Sequence, residues 1–133
     1  MRFAGFIPFC FGFLWGCFPA AEERYFEPSQ VWVVDGDTVR IADDTYRLLG
    51  LDTPETYRSQ CAEELALGEQ ATRRLRKLLD DSETIFMAVE DRPDKYGRIL
   101  AKLIIDDVDV ASVLIGEGLA RPYQGGQRQS WCG

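Results

Sequence analysis

Over most of this chain apolar and polar positions alternate in short blocks, and only one long stretch falls into helical spacing. Residues 31–34 (VWVV) form an apolar run closed by Asp35 and Gly36, a residue pair that strongly marks a hairpin turn. Residues 38–41 (TVRI) alternate as a second strand, Asp43 and Asp44 turn the chain, and residues 45–51 (TYRLLGL) make a third. Pro54 ends regular structure there, because a proline pushes the residue before it, Thr53, toward an extended conformation. Residues 62–79 then predict an amphipathic helix. Leu65, Ala71, Leu75, Leu78 and Leu79 lie toward one face, and Arg73, Arg74, Arg76 and Lys77 fill the last turns, where positive charge suits the helix dipole. Residues 84–89 and 98–105 are apolar β runs around a polar turn containing Pro93 and Gly97, and residues 110–115 form a short helix stopped by Gly118. The closing GGQRQSWCG reads as turn. The order β-β-β-α-β-β-α, mainly β with α, predicts a five-stranded OB-type barrel, with an open α+β sheet as the alternative.

The chain begins differently. Arg2, an apolar stretch over residues 3–18, Pro19, Ala20 and Ala21 precede an abrupt Glu22, Glu23 and Arg24, the layout of a secretory signal peptide over residues 1–21. Two alternatives stand beside it. One is a lipoprotein-type signal at Cys17, with Trp15 where a small residue belongs; the other is a retained anchor, interrupted by Pro8, Gly12 and Gly16. Residues 22–29 are expected to be a linker and residues 30–133 one domain with a modest core. The expected location is extracytoplasmic, periplasmic or secreted, with membrane attachment only if the leader is lipidated or kept. Cys10 and Cys17 fall in the leader, which leaves Cys61 and Cys132. Outside the cytoplasm these two can pair, tying the loop after the acidic segment to the end of the chain; two free thiols are the alternative.

Charge and composition narrow the chemistry. There is no histidine, so imidazole-based triads, Cys-His pairs and imidazole-ligated zinc are excluded, and proton transfer falls to carboxylates, Lys, Tyr or metal-bound water. The net charge is −7. Residues 22–91 hold 17 acids against 8 bases, and residues 92–133 hold 5 against 6. Such a chain is unsuited to coating nucleic acid through a broad basic surface, and any contact with a polyanion has to be local.

The local candidates are few. Asp37 opens the second strand and Asp52 closes the third, so a meander can bring them together; with a backbone carbonyl and water they suit a hard, oxygen-seeking cation. Asp35, Asp43 and Asp44 are expected to be turn formers. Glu55 lies just past Asp52 across a proline, in reach of a water near a bound phosphate. Arg47 either points to solvent from its strand or enters a pocket, and Arg98 follows Gly97 in a tight turn. Two guanidinium forks on one phosphate would offset charge in a transition state.

The segments VDGDTV, YRLLGLDTPET and DKYGR, in this order around one helix and with Gly118-Leu119-Ala120 beyond, closely resemble the staphylococcal-nuclease-like (thermonuclease) family over residues 30–122. The resemblance implies an OB barrel and Ca²⁺-dependent hydrolysis of DNA and RNA, with products ending in 3′-phosphate. It implies Ca²⁺ ligands at Asp37, Asp52 and the carbonyl of Thr53, a general base at Glu55 and phosphate-binding arginines at Arg47 and Arg98. Lys95, Tyr96 and, through a looser alignment, Tyr123 fall at nucleotide-contacting positions. Single-stranded or unpaired DNA and RNA are the implied partners, of a monomer with no stable protein partner. Three departures accompany the match. The family's third, C-terminal helix is expected to be absent, residues 57–68 have their own sequence, and a Cys61–Cys132 bridge would supply some of the constraint that helix would give. A non-catalytic OB-fold nucleic-acid-binding module is the alternative to a nuclease, although it would normally have lost one of the acids or arginines present here.

Overall fold

The computed structural model of the chain describes residues 22–133; the expected leader over residues 1–21, with Cys10 and Cys17, lies outside the described residues. The elements in order are β1 (Glu22–Phe26), β2 (Val31–Asp35), β3 (Thr38–Ile41), β4 (Asp44–Leu48), β5 (Gly50–Asp52), α1 (Ala62–Asp80), β6 (Ile85–Val89), β7 (Ile99–Ile105), β8 (Val108–Asp109), α2 (Val110–Gly116) and β9 (Arg121–Tyr123). The domain is therefore mainly β with two helices. Hydrogen-bonded neighbours run β1-β6-β7-β4-β3-β2 with β8 on β7, and β5 pairs with β9 in a separate two-stranded sheet.

This corrects the expected five-stranded barrel in three places. The sheet is not closed by pairing, since β1 and β2 stand at opposite ends of its path; they are joined only by the 3-10 turn Pro28–Gln30. The predicted third strand bends at Leu49 and divides into β4 and β5. Residues 22–29 are not a linker. Glu22–Phe26 pairs antiparallel with β6, from Glu22 opposite Val89 to Phe26 opposite Ile85. Its polar sequence hides a half-buried edge strand: Tyr25 lies against Phe86 with ring centroids 5.3 Å apart, Phe26 meets Tyr46 edge-on, and Arg24 donates to the Tyr46 hydroxyl at 2.9 Å.

α1 packs against β2, and its buried residues Glu64, Gly68, Ala71, Thr72, Leu75 and Leu79 recur at helical spacing. Leu65, expected on this face, is exposed, because the buried stripe starts one residue earlier at Glu64. The core between helices and sheet centres on Val39, Tyr46, Leu48, Leu51, Met87, Leu103 and Leu114.

Two ladders position the site. β2 and β3 form a hairpin whose turn carries Asp37, and β4 runs parallel to β7 with Arg47 opposite Leu100. Arg98 lies just ahead of β7, in the turn that leads into it, where its backbone N–H is held by Asp94.

Candidate active site

The hairpin turn after β2 and the end of β5 meet beneath α1. Gly36 is required there by close approach: a Cβ would stand 2.8 Å from Thr53 Cγ2 and 2.9 Å from Ala71 Cβ, too near for any side chain. The turn can thus lie flat against Thr53, and Asp37 beside it is 5% exposed. One Asp37 oxygen accepts from the Thr38 hydroxyl at 3.0 Å, the other from the Thr53 backbone N–H at 3.2 Å. Asp52 and Thr53 are buried at 2% and 1% exposure.

Arg47 enters the site instead of pointing to solvent. Its guanidinium donates to the carbonyls of Leu48 and Leu51, lies 3.4 Å from Asp37 and 4.0 Å from Asp52, and is covered by the Tyr123 ring at 5.8 Å. Burial by itself would raise the Asp37 pKa, but the Arg47 charge and the bonds from Asp35, Thr53 and Thr38 hold it below the usual carboxylate range. Asp35 moves the other way, pushed up by burial and then by the charge of Asp37. Asp35 also accepts from the Asp37 N–H at 3.2 Å, which is the turn-forming role expected of it.

Glu55 stands at the rim with its side chain 33% exposed. Its position is set from α1. The buried Glu64 carboxylate accepts from the backbone N–H groups of Gln60 at 2.6 Å and Glu55 at 3.5 Å, stitching the loop to the first helical turn. Gly68, one turn on, lets the helix approach: a Cβ there would come 2.7 Å from the Pro54 carbonyl and 3.1 Å from that of Glu55. Although alanine favours helices by about 1 kcal/mol over glycine, Gly68→Ala is expected to destabilise the domain by about 1–3 kcal/mol through this overpacking, measured by urea unfolding. A variant as stable as the wild type would mean that the loop backbone yields.

Arg98 is placed apart from the acids. It donates to Asp94 at 2.7 Å, and among the described residues no hydrogen bond or ion pair joins it to Asp37, Asp52 or Glu55. Asp94 also accepts from the N–H groups of Tyr96 and Arg98; burial opposes its charge, but these bonds hold its pKa below the ordinary value. The turn displays Tyr96, 72% exposed, with Lys95 and Arg98 over its ring at 5.1 and 5.4 Å.

The tail, expected to be turn-like and open to a bond between Cys132 and Cys61, folds back over the site. β9 pairs with β5, setting Arg121 opposite Asp52 and Tyr123 opposite Gly50. Tyr123, Arg121 and Asp52 line a cleft of about 420 Å³. Beyond it the chain turns back. Arg128 places one guanidinium nitrogen 2.7 Å from Asp52 Oδ1 and the other 2.7 Å from Glu55 Oε1, and donates to the Thr53 carbonyl at 3.4 Å. Burial opposes the charge on Arg128, but the carboxylates of Glu55 and Asp52 more than restore it. Trp131 donates to Asp52 at 3.4 Å and stacks under Arg121 at 3.7 Å, and Cys132 is disulfide-bonded to Cys61. The expected pairing of Cys61 with Cys132 is thus present and was the sequence signal of this docking, whereas the placement of Arg128 and Trp131 left none.

The donor set fits a hard divalent cation. Asp37, Asp52 and the Thr53 carbonyl supply oxygens only, and Asp52 Oδ1 is buried without a hydrogen bond, its contact with Arg128 being an ion pair. Among the described residues no three carboxylate, thiol or imidazole side chains cluster to hold a metal, so carbonyl and water would complete the shell.

Acids and arginines thus gather where the hairpin turn and the β5–β9 ladder meet on an OB-like sheet, a layout suited to handling phosphate. The chain belongs to the staphylococcal nuclease homologue family, whose sequence model matches residues 45–130. It is 39% identical over 94 residues to the SPbeta prophage-derived endonuclease YokF of Bacillus subtilis, covering 66% of this chain and 31% of that protein. It is 38% identical over 94 residues to the endonuclease YncB of the same organism (66% and 44%), and 36% identical over 93 residues to the thermonuclease of Staphylococcus intermedius (67% and 55%). The matched region therefore spans about a third to just over half of these relatives' lengths.

Proposed function

We propose that this chain is a Ca²⁺-dependent nuclease that hydrolyses phosphodiester bonds of DNA and RNA outside the cytoplasm. The observation that carries the reading is the meeting of Asp37, Asp52, the Thr53 carbonyl, Arg47 and Glu55 at one edge of the domain, in a family whose relatives are named endonuclease and thermonuclease. Asp37, Asp52 and Thr53 would hold the ion, which when bound would polarise the scissile phosphate and offset its charge. Arg47 on β4 and Arg98 just ahead of β7 grip nonbridging oxygens and stabilise the charge that builds up as the nucleophile adds. Glu55, fixed at the rim by Glu64, takes the proton of the attacking water. Lys95 and Tyr96 on their exposed turn, and Tyr123 in the cleft beside Asp52, hold the adjoining nucleotides. The acidic net charge suits release of product over tight coating of a strand.

The test is incubation of the disulfide-bonded protein with end-labelled single-stranded DNA and RNA, in Ca²⁺ or in chelator. Cleavage in Ca²⁺ alone is the expected result. Cleavage that persists in chelator would remove the ion from the mechanism, and binding without cleavage would make the chain a nucleic-acid-binding module.

A further inference from the structure

Beside Arg47, a second guanidinium already sits among the acids, and the tail of the chain delivers it. The Arg128 guanidinium touches Asp52, Thr53 and Glu55 together: two of the three groups assigned to the ion and the group assigned to the water. A guanidinium 2.7 Å from Asp52 Oδ1 and a divalent ion on the same oxygen repel one another and compete for the same electron pairs. The segment that delivers Arg128 is poorly anchored by backbone. Residues 124–133 form no helix or strand, and they turn at Gly125 and Gly126. Side chains hold the segment down: Arg121 donates to the carbonyls of Gln129 and Ser130 and stacks on Trp131. The Cys61–Cys132 bond ties its end to the N-terminus of α1.

We propose that Arg128 is a tethered internal cation that occupies the acidic site and must be displaced before a divalent ion binds, so that the disulfide-held tail sets how much ion the protein requires. This rests on the proposed cation site. A short tether keeps the local concentration of Arg128 high, and an ion meets a competent site only in the fraction of molecules whose tail has lifted. If that fraction is about a tenth, apparent affinity falls about tenfold. The substitution that removes the competitor leaves the proposed ligands untouched, and Arg128 has a side chain 41% exposed, so its loss spares the core.

Calorimetric titration of Ca²⁺ into the wild type, Arg128→Gln and the Cys61→Ser/Cys132→Ser double variant distinguishes the outcomes, with folding of each checked by circular dichroism at the same temperature. Arg128→Gln is expected to bind Ca²⁺ about tenfold more tightly, and the untethered double variant to shift in the same direction. Equal or weaker affinity in Arg128→Gln overturns the competition while leaving the cation site standing. Absence of binding in both wild type and Arg128→Gln removes the cation site and this proposal with it.

Discussion

Glu55→Gln is expected to cleave single-stranded DNA about a thousandfold more slowly than the wild type, in the range of about 10²–10⁴ that a positioned proton acceptor supplies, while unfolding at nearly the same urea concentration. The two halves of this expectation come from different parts of the geometry. The carboxylate of Glu55 is one-third exposed and its side-chain partner is Arg128, itself partly open to water, so exchanging charge for amide leaves little desolvated. Its backbone is held independently by Glu64, so the loop keeps its course when the side chain changes. Asp52→Asn would be a poorer probe, because Asp52 is buried beside Arg47 and Arg128 and the substitution alters folding as well as chemistry. Single-turnover cleavage at saturating Ca²⁺, compared with urea unfolding of the same preparations, separates the two effects. Equal cleavage by the folded variant and the wild type would take the base role away from Glu55.

The largest effect on stability is expected from breaking the Cys61–Cys132 bond. Its ends are 71 residues apart in sequence, and closing a loop of that length restricts the unfolded chain by about 4 kcal/mol on a chain-entropy account. For a domain of this size that corresponds to a fall in Tm on the order of 15 °C for the Cys61→Ser/Cys132→Ser variant, read by scanning calorimetry. The enclosed loop contains α1, β6, β7 and α2, so the bond constrains most of the domain, not only the tail. A fall of only a degree or two would mean that the unfolded chain is already compact or that the tail contributes nothing once docked. The same bond gives a direct chemical check, since Cys61 and Cys132 should resist a thiol reagent until reduced.

Much of this was legible in the sequence, for identifiable reasons. β2, β3, β6, β7 and both helices announce themselves because each buries a face, and burial imposes a period on the apolar residues. Asp37 and Asp52 could be brought together on paper because a hairpin and the next strand end are local features. What stayed hidden depends on partners distant in sequence. β1 reads as a polar lead-in because an edge strand shows half of its residues to water. The inward course of Arg47 is decided by Asp37 and two carbonyls, none of which leaves a mark on the residues beside it. Glu64 and Gly68 carried no sequence signal of their roles, which are explained only when the loop carrying Glu55 is laid across them. Arg128 lay in a segment with no period at all, and its place is fixed by a disulfide and an aromatic stack.

The parallel register of β4 with β7 sets when this molecule becomes complete. The acids and Arg47 come early in the chain, but β4 gains its parallel neighbour only when β7 follows α1 and β6, with Arg98 just ahead of it. A nascent chain that stops before that point carries the carboxylates and Arg47 with β4 paired to β3 alone, and it lacks Arg98. Synthesis therefore supplies the second of the two arginines proposed to bind phosphate only after α1 and β6 are made.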